Sequence, residues 1–76
     1  MKKDYYSLIE ENKIKIAVIG LGYVGLPLAI EFGKRYDTTG FDINNDRVNE
    51  LNDKFDKTKE VSYDDFISSK FLSITN

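Results

Sequence analysis

The chain has 76 residues, enough for one small domain with a modest core, and its 41% hydrophobic and 32% charged residues match a folded globular protein rather than a disordered one. A net charge of −2 gives no reason to expect nucleic acid or an anionic membrane as partner, and the absence of cysteine and histidine excludes disulfides, thiol nucleophiles, the usual zinc constellations and His-based triads. The lack of cysteine fits a reducing, cytoplasmic location, and no run approaches the roughly 18 apolar residues of a membrane span.

Met1, Lys2 and Lys3 resemble the start of a signal peptide, but the acids Asp4, Glu10 and Glu11 follow where an apolar region would have to stand. Tyr5, Leu8 and Ile9 instead recur at i, i+3 and i+4, so residues 1–12 are expected to form a short lead-in helix. Residues 14–19 predict a strand. Ile14, Ile16 and Val18 face one way and Ala17 and Ile19 the other, so both faces are apolar, as in a buried parallel sheet. Gly20, Gly22 and Gly25 follow in G-x-G-x-x-G spacing. Leu26, Leu28, Ala29, Ile30 and Phe32 then supply a helical apolar face, which Pro27 does not interrupt because a first-turn N–H has no intrahelical acceptor. Gly33, Lys34 and Arg35 suit the end of that helix.

Residues 38–43 read as a second strand. Asn44 or Asn45 can cap a second helix carrying Val48, Leu51 and Phe55 at i, i+3 and i+7. Residues 56–61 are polar and read as a loop. Ser62 and Asp65 have capping-box spacing ahead of Phe66 and Ile67, and residues 71–75 give a third strand. The sum is β-α-β-α-β with an extra short helix, the first half of a Rossmann doubly wound parallel sheet: an α/β fold of three parallel strands over 13–76. Right-handed crossovers put the helices on one face and leave the first strand at an edge. The other face is expected to be bare and apolar. Either the lead-in helix or a second copy of the chain would cover it, by a homodimer through that face or the first-strand edge.

The glycine turn is the chemically informative stretch. Gly20 permits a tight turn out of the strand, Gly22 lets backbone approach a pyrophosphate, and Gly25 lets helix and strand pack closely. The N–H groups of Tyr23 and Val24 lie at the helix start, where they can point at phosphate oxygens, so the backbone of Tyr23 matters more than its ring. Asp42 stands about 20 residues further on, at the end of the second strand, where a carboxylate accepts hydrogen bonds from a ribose diol and repels a 2′-phosphate. That favours NAD over NADP. Asp42 read alone is also compatible with a turn or cap acid. Arg47 has two readings, a contact to the ribose or adenine, or a solvated first-turn arginine. Lys2, Lys3, Lys13 and Lys15 read as solubilising charges, and Asp64 and Asp65 as acids favoured by a helix N-terminus.

The stretch from Ile16 to Ala29 resembles the opening of the UDP-glucose/GDP-mannose dehydrogenase family, above all in the run Tyr23, Val24, Gly25, Leu26, Pro27. Glu31 to Lys34, Gly40 to Asn44, Arg47 with Val48, and Leu51 with Asn52 continue the likeness. Asp56, Thr58, Glu60 and Val61 resemble the branch that oxidises UDP-N-acetylhexosamines for surface polysaccharides. Lys54 departs from it, standing where that branch often has glycine. The resemblance implies an NAD-dependent, four-electron oxidation of a sugar C6 alcohol to a carboxylate, with Gly20, Gly22, Gly25, Asp42 and Arg47 as cofactor contacts. It implies catalytic residues on later segments and none within these 76 residues. The chain is therefore expected to be an NAD-binding N-terminal piece of such an enzyme, inactive by itself, with a UDP-sugar as partner only of the longer protein. A non-enzymatic, self-associating α/β module and the first part of another NAD-dependent dehydrogenase are the alternatives.

Overall fold

The computed structural model describes residues 14–76, and the expected lead-in helix lies outside them. The elements are β1 (Lys15–Ile19), α1 (Gly25–Gly33), β2 (Asp37–Phe41), α2 (Asn45–Asn52), α3 (Tyr63–Ser68) and β3 (Leu72–Thr75). The strands form one parallel sheet in the order β1-β2-β3, with Lys15 opposite Asp37 and Thr38 opposite Leu72. Parallel pairing of consecutive strands requires a crossover each time, and the three helices supply it.

All three helices pack on one face. Leu26, Ala29 and Ile30 of α1, Leu51 of α2 and Phe66 of α3 close over Val18, with Ile16, Leu72 and Ile74 partly buried against them. The opposite face departs from the expected apolar surface. Ala17 and Ile19 are exposed there and Phe41, opposite Ile19, is half-buried, but Lys15, Asp37, Thr39, Ser73 and Thr75 surround them, so the apolar patch is confined to β1 and the end of β2. The reason is the alternation of β2 and β3, whose outward residues are mostly polar while β1 is apolar on both faces.

Two element ends differ from the sequence expectation. β2 stops at Phe41 rather than residue 43, and Ile43 is 87% exposed. The Asp42 carboxylate accepts the N–H of Asn44, a local turn that competes with continued strand pairing. Asn44 then caps α2, accepting the Arg47 N–H. At its other end α2 closes at Asp53, and Lys54 takes φ of 61°. The Lys54 N–H donates to the Leu51 carbonyl and the Phe55 N–H to that of Glu50, which is the Schellman arrangement with lysine at the left-handed position. Phe55 therefore leaves the helical stripe and is exposed. The capping box of α3 forms as its spacing predicts, with the Asp65 N–H donating to Ser62 Oγ and the Ser62 N–H to the Asp65 carboxylate. Those two Ser62 groups hold the Asp65 carboxyl below its usual range.

Candidate functional site

The glycine turn leaves the carboxyl end of β1, the edge at which parallel α/β sheets place their ligands. Gly20 has φ of +88°, a conformation that side chains with a Cβ rarely adopt. A Cβ on Gly25 would lie 1.7 Å from the Gly20 carbonyl oxygen, so this helix start tolerates only glycine. Leu21 between them is fully buried and anchors the turn in the core. At Gly22 an added Cβ meets nothing within 4 Å, so the backbone there faces open space.

α1 begins without a side-chain cap, because its N-cap residue is Val24. The N–H groups of Gly22, Tyr23, Val24 and Gly25 have no hydrogen-bond partner among the described residues. Four free donors at the positive end of a helix make an anion cradle. The Tyr23 ring and the Val24 side chain are exposed.

Asp42 joins this turn through a closed ring of hydrogen bonds. One carboxylate oxygen accepts the Leu21 N–H at 2.9 Å and the other the Asn44 N–H at 2.9 Å. Asn44 Oδ1 accepts the Arg47 N–H, and Arg47 Nε donates to the Leu21 carbonyl at 2.8 Å. The Leu21 and Asn44 N–H groups, with the Arg47 charge adding to them against a small burial penalty, hold the Asp42 carboxyl below its usual range. It stays ionised at neutral pH, with lone pairs left for a diol.

Arg47 is buried rather than solvated. Its Nη1 donates to Glu50 at 2.9 Å and to Asp56 at 2.8 Å, while Nη2 is buried without a partner among the described residues. Asp56, whose side chain is fully buried, also accepts from the Thr58 N–H and hydroxyl and from the N–H groups of Glu60 and Val61. Burial pushes the Asp56 carboxyl up, but the Thr58, Arg47 and Val61 hydrogen bonds outweigh it and bring it down to about 2.

Two cavities flank the turn and share Gly22. One, of about 220 Å³, brings together Gly22, Tyr23, Asp42 and Arg47, with Lys57 and Thr58 as the opposite wall. The other, of about 590 Å³, runs along the outer edge of β1 past Gly20, Val24 and Gly25 to Leu28 and Phe32. Leu28, expected in the core stripe of α1, lines this second cavity and is half exposed. The sequence reading singled out Asp42 and Arg47 but not Asp56 as an organising residue. The available signal was an acid followed by Thr58 in an otherwise exposed loop, since a buried Asp needs several donors around it. Among the described residues no group of His, Cys, Asp and Glu side chains could hold a metal ion.

A parallel β-α-β unit whose glycine turn presents free N–H groups, with an ionised acid beyond the second strand, defines a dinucleotide-binding half-domain. Residues 14–75 match the NAD binding domain of the UDP-glucose/GDP-mannose dehydrogenase family, and the chain belongs to that family. NAD is the cofactor of that domain. Over 62 residues it is 52% identical to a UDP-N-acetyl-D-glucosamine 6-dehydrogenase of Pseudomonas aeruginosa, covering 82% of this chain and 15% of that protein. It is 45% identical over 65 residues to the Salmonella typhi protein of the same name, covering 86% of this chain and 15% of the relative. The native structure of a UDP-N-acetyl-mannosamine dehydrogenase from Staphylococcus aureus superposes with a TM-score of 0.65 at 33% identity, over 82% of this chain and 16% of that one. The chain thus spans about one-sixth of the length of these relatives.

Proposed function

We propose that residues 14–76 hold the adenosine and pyrophosphate of NAD for a UDP-N-acetylhexosamine 6-dehydrogenase acting in surface polysaccharide synthesis. The observation that carries this reading is the row of four unpartnered N–H groups from Gly22 to Gly25 beside an ionised Asp42. The diphosphate would sit against that row, in the open space above Gly22. The Asp42 carboxylate would accept the adenosine ribose hydroxyls in the smaller cavity and repel a 2′-phosphate there. Arg47 borders the same cavity. The nicotinamide half would run toward the β1-edge cavity, which meets the first at Gly22.

Bound NAD would supply a hydride acceptor, and oxidation of a sugar C6 alcohol to the carboxylate requires two such acceptors and one water. The names of the relatives support a UDP-N-acetylhexosamine as substrate. We assign the alcohol-oxidising groups to segments outside these residues, so the 76-residue chain alone binds cofactor without turning over sugar. Titration with NAD and NADP tests the site. NAD is expected to bind more tightly than NADP, and Asp42→Ala to weaken NAD about tenfold, the loss of one charge-assisted hydrogen-bond pair. Equal NAD affinity of Asp42→Ala and the parent chain would refute the role of Asp42.

A further inference from the structure

The ring through Leu21, Asp42, Asn44 and Arg47 fixes more than side chains. A trans peptide is planar, so its C=O and the following N–H point in opposite directions. Arg47 Nε holds the Leu21 carbonyl at 2.8 Å, and the Gly22 N–H of the same peptide plane is therefore aimed away from Arg47. That N–H is one of the four free donors of the cradle. Glycine cannot fix the plane through a side chain of its own, and its freedom makes an external hold necessary.

Arg47 is in turn held from the far side. Asp56 Oδ1 accepts from Arg47 Nη1 and from both the N–H and the hydroxyl of Thr58, while Oδ2 accepts from Glu60 and Val61. The loop after α2 is wound around this one carboxylate, and Arg47 is its only connection by side-chain hydrogen bond to the glycine turn among the described residues. Glu50 takes a second bond from Arg47 Nη1 and also accepts the Lys57 N–H, bracing the arginine from α2.

We propose that Asp56 is a positioning residue for the cofactor: acting through Arg47, it sets the plane of the Leu21–Gly22 peptide and so the aim of the Gly22 N–H at the diphosphate. Asp56 itself touches no ligand. The relay runs from the Asp56 carboxylate to the Arg47 guanidinium, the Leu21 carbonyl and the Gly22 N–H. Asparagine at position 56 keeps one acceptor but turns an amide donor toward N–H groups that need an acceptor, which loosens the hold on Arg47.

This inference rests on the proposed NAD site, and the test separates the two. The ¹⁵N-labelled 76-residue chain is titrated with NAD, following backbone amide shifts, for the parent, Asp56→Asn, Arg47→Lys, the double variant and Asp42→Ala. Asp56→Asn is expected to shift the Gly22 amide in the free protein and raise Kd for NAD about tenfold. The same change in the Arg47→Lys background is expected to add little, because lysine cannot bridge the Leu21 carbonyl and Asp56 with a planar fork. An undiminished Asp56→Asn effect in that background, or an unchanged Kd in the single variant, overturns the relay. Should Asp56→Asn fail to fold, Arg47→Lys decides. A shifted Gly22 amide in the free protein with a greater loss of ADP than of adenosine affinity upholds the relay, and an unmoved Gly22 amide or equal loss for both overturns it. No NAD binding by the parent, or none of the expected loss in Asp42→Ala, refutes the site itself instead.

Discussion

Gly25 shows how little the turn tolerates. With a Cβ 1.7 Å from the Gly20 oxygen, Gly25→Ala must push helix and turn apart, and backbone cannot yield as a flexible side chain would. Urea unfolding is expected to show a loss of about 2 kcal/mol or more, with NAD binding abolished. Asp56 makes a different prediction, in pH. Its carboxyl falls from an ordinary 3.8 to about 2 in the folded chain, so the unfolded state takes up the proton first as pH drops. Its stabilisation, about 2 kcal/mol, is fully present above pH ~4 and is lost as pH falls toward ~2. The urea midpoint should decline over that window, and Asp56→Asn should remove this part of the decline.

Lys54 ends α2 in a conformation that glycine adopts without cost. Lys54→Gly keeps both Schellman hydrogen bonds and relieves the Cβ clash, so thermal unfolding should show a gain of about 1 kcal/mol. An unchanged or lowered Tm would mean that the lysine stem contributes packing that outweighs the strain. Ser62→Ala removes one reciprocal bond of the α3 cap and should cost about 1 kcal/mol. Most of this element plan was legible in the sequence, because strand alternation, the glycine spacing and the Ser62–Asp65 cap are local signals. What escaped is instructive. Phe55 fits the α2 period, yet the left-handed residue before it swings it out to solvent, and no periodicity records a φ angle. The expected β2 runs two residues past its observed end, to Ile43, whereas the Asp42 turn decides where pairing ends. In the site, Asp42 was legible from its distance to the glycines. Asp56 was not, since Arg47 comes from α2 and no local spacing records that the following loop winds its N–H groups around a single carboxylate.

At the scale of the molecule, the described residues share one small core, with their helices on a single face and β1 and β3 at the edges of their sheet. Cofactor binding should therefore register in global stability. NAD at about 100 times its Kd is expected to add about 2.7 kcal/mol if only the folded chain binds, readable as a rise in Tm that tracks NAD concentration. The ring around the glycine turn carries one more consequence. It closes contacts between residues 21 and 26 positions apart in the chain, the Asp42–Leu21 and Arg47–Leu21 bonds. We expect those contacts, whose geometry needs β1 and β2 aligned, to form late in folding and to break early in unfolding. Such late contacts act on the escape from the native state and not on the approach to it. Stopped-flow kinetics should then show NAD slowing the unfolding limb of the chevron while the refolding limb stays where it is.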